Sequence, residues 1–204
     1  MKKVNWDVQY ISPPPAIKYC KKCGVKKEYV CSNLFRVNAQ RKSLDIWLIY
    51  KCSDCDSTWN MTIFSRINPK SISPELLEGF HSNSGELVTK YAMNADLIHK
   101  NGAQSGLPKY IIQGPVIDFT IPVELHIKSP YPFRLKLSTL LREKLSLSQS
   151  DFEQRVRNGS IRSSIGLDLK KCKINSEAKL IIEDHYLALE NKSLISKQLC
   201  SCSM

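Results

Sequence analysis

The sequence contains no long hydrophobic run. No stretch approaches the roughly 18 apolar residues of a membrane-spanning helix, and residues 1–7 lack the apolar character of a secretory signal. These absences predict a cytoplasmic protein that has no membrane partner. The hydrophobic fraction of 42% and the charged fraction of 24% are ordinary for a folded chain, so wholesale disorder is not expected.

The sequence also lacks the short motifs of common catalytic sites. It contains no phosphate-binding glycine loop, no nucleophile motif and no paired-carboxylate arrangement. His81, His99 and His126 lie in separate predicted elements, without a second histidine one helical turn away. An enzyme would need convergent acid, base or nucleophile residues, so the sequence predicts a non-enzymatic protein with no catalytic residue.

Cysteine is present in two identical pairs, Cys20-Lys-Lys-Cys23 and Cys52-Ser-Asp-Cys55. A tetrahedral zinc site needs four soft ligands at about 2.3 Å, and each C-x-x-C turn brings two thiolates to one ion. Cytosolic thiols stay reduced and free to ligate. Four thiolates close the coordination shell, whereas catalytic zinc keeps one position open. We therefore predict one structural Zn²⁺ bound by Cys20, Cys23, Cys52 and Cys55.

The residues between the two pairs predict a β-hairpin. Residues 28–37 and 44–51 are rich in β-branched and aromatic side chains, and a polar stretch separates them. Alternating apolar residues over 58–63 predict a third strand. Gly24 follows the first pair, where a tight turn often needs a positive φ. Residues 1–70 are thus predicted to form a three-stranded antiparallel zinc ribbon.

Thirty basic side chains against nineteen acidic ones give a formal net charge of +11. The excess lies in residues 1–70 and 130–204, not in residues 71–129. Surfaces rich in lysine and arginine gain affinity for phosphate backbones by releasing counterions, so RNA is the first partner to consider. The alternative is that the charge only keeps the protein soluble.

Three basic residues of the hairpin are candidate RNA contacts: Arg36, Arg41 and Lys42. They are interleaved with aromatic residues such as Trp47, which could stack on unpaired bases. In so small a ribbon the alternative role for each ring is packing in the core.

Residues 71–129 predict a connector of short helices and short strands. Ser73-Pro74 provides a serine cap and a proline at the first helical position, and this helix is expected to end near Phe80. Residues 84–92 and 94–102 predict two further helices.

Residues 130–185 predict a second small domain. Leucines at helical spacing up to Leu145 indicate one helix, and a second runs from Leu147 to Gly159. Strand character begins at Ile161.

This order of helix, helix and strands, over residues 132–182, resembles the S4 domain, a small RNA-binding module. The matching residues are Arg134-Leu135, Leu147-Ser148-x-Ser150, Val156-x-x-Gly159-x-Ile161, and Gly166 with Lys170-Lys171. The resemblance implies an α+β domain that binds structured RNA, such as ribosomal RNA or transfer RNA. The contacts it implies here are Arg134, Lys136, Arg157, Arg162, Lys170, Lys171 and Lys173.

Residues 36–40, 45–52 and 65–70 are similar to a bacterial family known only as a domain of unknown function. This similarity implies a bacterial cytoplasmic protein with an N-terminal zinc ribbon, and it implies no particular activity.

Together these patterns predict an α+β protein. The expected parts are a zinc ribbon (1–70), a connector of helices and short strands (71–129), an S4-like domain (130–185) and a flexible tail (186–204). We expect a zinc-stabilised, non-enzymatic RNA-binding protein. The alternative is a protein-interaction or regulatory module in which zinc is purely structural and no RNA is bound. In the tail, Cys200 and Cys202 could form a second soft-metal or redox site, or could be exposed terminal thiols.

Overall fold

The computed structural model describes residues 1–40, 42–117, 119, 121–133, 135–174 and 176–183. In chain order the strands are β1 (Lys2–Tyr10), β2 (Ala16–Cys20), β3 (Val25–Gln40), β4 (Ser43–Cys52), β5 (Thr58–Ile67), β6 (Gln104–Ser105), β7 (Tyr110–Gln113), β8 (Val123–Lys128), β9 (Leu135–Lys136), β10 (Ile161–Ser163), β11 (Lys173–Ile174) and β12 (Glu177–Ile182). The helices are α1 (Pro74–His81), α2 (Gly85–Ala92), α3 (Ala95–Lys100), α4 (Leu137–Leu145) and α5 (Gln149–Arg157), with a 3₁₀ turn at Pro69–Ser71.

The chain divides into two compact units. We call Tyr10–Tyr110 the inserted unit, because it interrupts the sequence of the other. The outer unit consists of Met1–Gln9 and Ile111–Met204.

The inserted unit is built on a five-stranded sheet of order β5-β4-β3-β2-β6. Its neighbouring strands are antiparallel. Along β4, Leu44, Ile46, Leu48 and Tyr50 are fully buried and alternate with less buried residues. This alternation is typical of a strand whose one face is packed, because successive side chains point to opposite sides of the sheet.

Helices α1, α2 and α3 provide the cover for that face. Val88 and Ala92 of α2 and Ile98 of α3 are buried in one cluster with the sheet residues Leu48 and Tyr50. Each large apolar side chain buried in this way contributes about 1.5–3 kcal/mol of transfer free energy. The sheet and its helices therefore share one core.

Helix α1 begins as the sequence predicts. The Ser73 hydroxyl accepts a hydrogen bond from the Leu76 N–H, and Pro74 occupies the first helical position. At the other end, Phe80 packs edge-to-face on Phe35 of β3, with ring centroids 4.9 Å apart. This contact fixes α1 against the sheet.

Asn101, which follows α3, binds the edge strand β5. Its Oδ1 accepts from the Thr62 N–H at 2.8 Å, and its Nδ2 donates to the Thr62 carbonyl at 3.0 Å. The side chain thus satisfies two backbone groups of the edge strand.

The outer unit contains a mixed five-stranded sheet of order β10-β12-β8-β1-β7. Strand β1 runs parallel to β8, with Val4 opposite Leu125, whereas β12 is antiparallel to β8. Trp6 of β1 is fully buried, and its Nε1 donates to the Pro115 carbonyl at 2.9 Å. Burial of both the ring and its polar atom makes this residue a central part of the core.

The helices of the outer unit carry buried apolar faces. Leu137, Leu140 and Leu141 of α4 and Phe152 of α5 are fully buried. Helix α5 starts after Ser148, whose hydroxyl accepts from the Asp151 N–H. A separate ladder joins β9 to β11.

The predicted fold is wrong, and only the coarse mixture of helices and strands agrees. The hairpin is not a three-stranded ribbon, because β2 and β6 extend it to five strands. The segment after it is not a helical connector, since its helices pack on that sheet and complete its core. The C-terminal segment is not a separate S4-like domain, since its strands share a sheet with β1 from the N-terminus.

The two compact units have different bounds from the predicted segments 1–70, 71–129 and 130–185. The tail 186–204, with Cys200 and Cys202, lies outside the described residues. Among the residues that the structure describes, no helix is long and apolar enough to cross a membrane.

Candidate metal centre

The two cysteine pairs meet at one end of the inserted unit's sheet. Cys20 ends β2 and Cys52 ends β4, while Cys23 and Cys55 lie in the turns that follow. The four sulfur atoms all lie within 4.8 Å of one another. The residues predicted as ligands are therefore brought together, and they could hold a metal ion.

The two turns have the same backbone design. After Cys23, Gly24 has a φ of +73°, and its N–H donates to the Cys20 carbonyl at 2.9 Å. After Cys55, Asp56 has a φ of 57°, and its N–H donates to the Cys52 carbonyl at 3.1 Å. The prediction that Gly24 supplies a positive φ is confirmed. The second turn places aspartate in the same region, which non-glycine residues adopt less readily.

The sulfur spacing fits a tetrahedral ion. Cys20 Sγ lies 3.5 Å from Cys55 Sγ, and Cys23 Sγ lies 4.0 Å from Cys52 Sγ. Four thiolates at about 2.3 Å from one ion would lie about 3.8 Å apart. Cys20 and Cys52 are buried and belong to the core cluster of the unit. A bound ion would therefore join strand ends that already share a core.

Ser57 supports the sulfur atoms. Its Oγ lies 3.3 Å from Cys20 Sγ and 3.2 Å from Cys55 Sγ. Hydrogen bonds from neighbouring groups orient metal ligands and relieve the charge of thiolates. Sequence reasoning missed this residue, although a serine two positions after a C-x-x-C pair was the available signal.

Neighbouring groups shift the pKa values of Cys20 and Cys23 in opposite directions. The hydrogen bond from Ser57 lowers the pKa of Cys20 to about 5. The neighbouring Cys55 raises the pKa of Cys23 to about 12. An ion that binds all four sulfurs displaces any protons that they carry.

Replacing Ser57 with alanine is expected to weaken metal binding roughly ten- to a hundredfold, because the sulfurs of Cys20 and Cys55 lose the hydroxyl whose single hydrogen they share. Competition with a chromophoric chelator measures the change. Ser53→Ala is the matched control, since the Ser53 hydroxyl hydrogen-bonds to Asp54 rather than to sulfur. Equal affinity of Ser57→Ala and Ser53→Ala would show that Ser57 does not support the ligands.

Arg36 and Lys42, two of the predicted RNA contacts of the hairpin, are surface residues. Arg36 is exposed on β3, and its guanidinium lies 6.0 Å from the centre of the Trp47 ring. Lys42 is exposed in the turn between β3 and β4. Arg41 lies outside the described residues.

In the outer unit, Lys136 and Lys173 lie directly opposite each other in the β9–β11 ladder, and both are exposed. Arg157 is exposed at the end of α5. Directly opposed side chains of like charge destabilise a strand pair. The ladder therefore concentrates positive charge at an energetic cost.

Three further predicted contacts of the outer unit have acidic neighbours. Arg162 pairs with Glu183. Lys170 lies 4.0 Å from Glu153, and Lys171 lies 3.9 Å from Asp168. Arg134 lies outside the described residues. These acidic partners offset part of the charge on which the prediction rests.

Fold and site together define a protein of two mixed helix-and-sheet units, one of which carries a four-cysteine cluster able to hold a metal ion. The family model described as "Protein of unknown function (DUF1062)" matches residues 37–166, and the chain belongs to this family. The matched segment includes Cys52 and Cys55 and begins after Cys20 and Cys23. No curated protein and no solved structure matches the chain. The predicted membership of a family of unknown function is confirmed.

Proposed function

We propose that the protein is a zinc-stabilised, cytoplasmic RNA-binding protein without catalytic activity. The observation that carries the proposal is the opposed pair Lys136 and Lys173. A fold gains no stability from placing two lysines face to face. Such a pair is useful when an anion such as an RNA phosphate lies between the two ammonium groups.

Zinc is the proposed ion because of the ligand set. Tetrahedral sites of four thiolates select zinc or iron. A closed thiolate shell stabilises a fold rather than activating water. Elemental analysis of the purified protein tests the identity: we expect one zinc per chain and a colourless protein, whereas one iron per chain would contradict the assignment.

The double variant Lys136→Gln/Lys173→Gln is expected to bind structured RNA at least about tenfold more weakly at low salt. Loss of two phosphate contacts is expected to reduce the magnitude of the slope of log affinity against log salt by about 2. Fluorescence anisotropy with a labelled RNA hairpin measures both quantities. Because the like-charge repulsion is removed, the variant is expected to be at least as stable as the wild type.

The matched control is Lys128→Gln/Lys179→Gln, which removes the same charge from the other strands of the outer unit. Lys128 lies opposite Glu177, and Lys179 lies opposite His126. The control should keep most of its RNA affinity. If both double variants lose the same amount of RNA affinity, net charge alone explains the binding and the Lys136–Lys173 pair is not a specific contact. If protein partners but no RNA are recovered from cells, the protein is an interaction module instead.

A further inference from the structure

The sheet of the inserted unit has a second face, opposite α1–α3, which carries exposed side chains. Tyr19 and Val30 are 57% and 53% exposed. Their chain neighbours Cys20 and Tyr29 are buried on the helix side. We call this second side the open face. Its rings and charges are available to a ligand.

A bulge separates the two halves of β3, and the open face continues on both sides of it. Before the bulge, Val30 lies opposite Lys51, and after it Arg36 lies opposite Trp47. Phe35 packs on Phe80 of α1, so its neighbour Arg36 points to the open face. Tyr19 and Lys26 form a further pair on this face, beside the first cysteine turn.

Positive charges on the open face follow one another along the sheet. Lys51 is four residues from Trp47 on β4, which corresponds to about 13 Å. Lys26 is four residues from Val30 on β3, about 13 Å further. Arg36, Lys51 and Lys26 are all exposed. Aromatic rings lie at the two ends, Trp47 beside Arg36 and Tyr19 beside Lys26.

We propose that the open face binds a single-stranded stretch of RNA, with bases stacking on Trp47 and Tyr19 and with phosphates paired to Arg36, Lys51 and Lys26. This inference rests on the proposed function and adds a second site and its substrate class. Tyr19 is exposed and Trp47 is half-buried. Rings at the surface of a sheet can stack only on bases that are not already paired and stacked in a duplex. Charge complementarity favours a polynucleotide over an apolar peptide.

Asp45 lies beyond this path, whereas Glu28 is exposed within it and offsets part of its positive charge. Asp45 lies beyond Trp47 on β4, and its Oδ1 accepts from the Arg66 N–H at 2.8 Å. Glu28 lies opposite Ile17, between the levels of Lys26 and Val30. Lys21 and Lys22, exposed in the first cysteine turn, add positive charge at the Tyr19 end.

Tyr19→Ala tests the stacking role in the full-length, metal-loaded protein. The probe is an oligouridine of about 12 nucleotides, long enough for the site sizes of single-strand binding sheets. We expect affinity to fall about tenfold in Tyr19→Ala, because loss of one stacked ring has an effect of that order. Tyr19→Phe keeps the ring and should bind within about twofold of the wild type. Equal metal content and melting temperature exclude unfolding as the cause.

Arg36→Gln/Lys51→Gln tests the phosphate contacts, with Lys100→Gln on α3 as a control from the opposite side of the sheet. The magnitude of the salt slope for oligouridine should fall by about 2 in the double variant and stay unchanged in the control. Binding of the RNA hairpin through Lys136 and Lys173 should persist in Tyr19→Ala.

Several results would overturn the inference. If Tyr19→Ala and the double variant bind oligouridine as the wild type does while the hairpin is still bound, the open face is not an RNA site and the proposed function survives. If the wild type binds neither RNA, the proposed function fails and the inference fails with it. Tighter binding of oligothymidine than of oligouridine overturns the assignment to RNA.

Discussion

Cys52→Ser is expected to abolish stoichiometric metal binding and to lower the melting temperature of the inserted unit by more than about 10 °C. Cys52 is buried at the end of β4, and its sulfur lies 4.0 Å from that of Cys23. The binding free energy of the metal is of order 10 kcal/mol in small zinc domains and contributes to their folding stability. Losing one of four thiolates removes much of it. For a unit of this size, each kcal/mol corresponds to roughly 4–8 °C.

The control for this prediction is Cys31→Ala. Cys31 is half-buried against the same core cluster but lies outside the four-sulfur group. This variant should keep one metal ion per chain, and its free energy of unfolding should fall by only about 1 kcal/mol. Calorimetry and elemental analysis provide the two readouts. A Cys52→Ser protein that retains one ion per chain and melts as the wild type does would contradict the assigned ligand set.

Gly114→Ala is expected to destabilise the outer unit by roughly 3 kcal/mol or more. Gly114 has a φ of +133°, a conformation that only glycine adopts readily. A Cβ at this position would overlap Trp6 Cδ1 and lie 2.5 Å from the Asn5 carbonyl oxygen. Trp6 is fully buried and cannot move aside without disturbing the core.

Gly85→Ala is the matched control, because Gly85 is the first residue of α2 and has nothing within 4 Å of a Cβ. Its stability should change by less than about 0.5 kcal/mol or increase slightly. Urea denaturation of both variants measures the difference. Similar midpoints for Gly114→Ala and the wild type would show that the Trp6 packing is not as tight as the structure indicates.

The features that follow from local sequence could be predicted. Cysteine spacing identifies the four-cysteine cluster that could hold a metal ion, because each pair closes its own turn, and Gly24 marks the φ that this turn needs. Ser73 and Pro74 locate the start of α1 because capping depends on a few adjacent residues. The strands of the hairpin are apparent from their composition for the same reason.

The pairings between distant segments could not be predicted. Val4 of β1 lies opposite Leu125 of β8, and the whole inserted unit separates them in sequence. Parallel pairing of this kind leaves no local signal, because a long connection of any composition can join the strands. The ladder that opposes Lys136 to Lys173 has two residues in each strand, too few to produce a periodic pattern.

The role of the helices was also hidden from local reasoning. The sequence indicates where α1, α2 and α3 begin and end, but an apolar helix face does not reveal which surface it covers. Phe80 packs on Phe35 because β3 and β4 present an apolar face of the right size. A helix that only connects two domains and a helix that packs on a sheet have the same local pattern of apolar residues. Only tertiary packing distinguishes them.

The central claim is that a zinc-stabilised protein binds RNA through its lysine and arginine side chains. The most direct test is an anisotropy titration of a structured RNA with the zinc-loaded full-length chain over a range of salt concentrations. We predict binding at low salt that weakens linearly in a plot of log affinity against log salt, with a smaller slope for Lys136→Gln/Lys173→Gln. Binding no tighter than that of an acidic control protein, or affinity independent of salt, would contradict the claim.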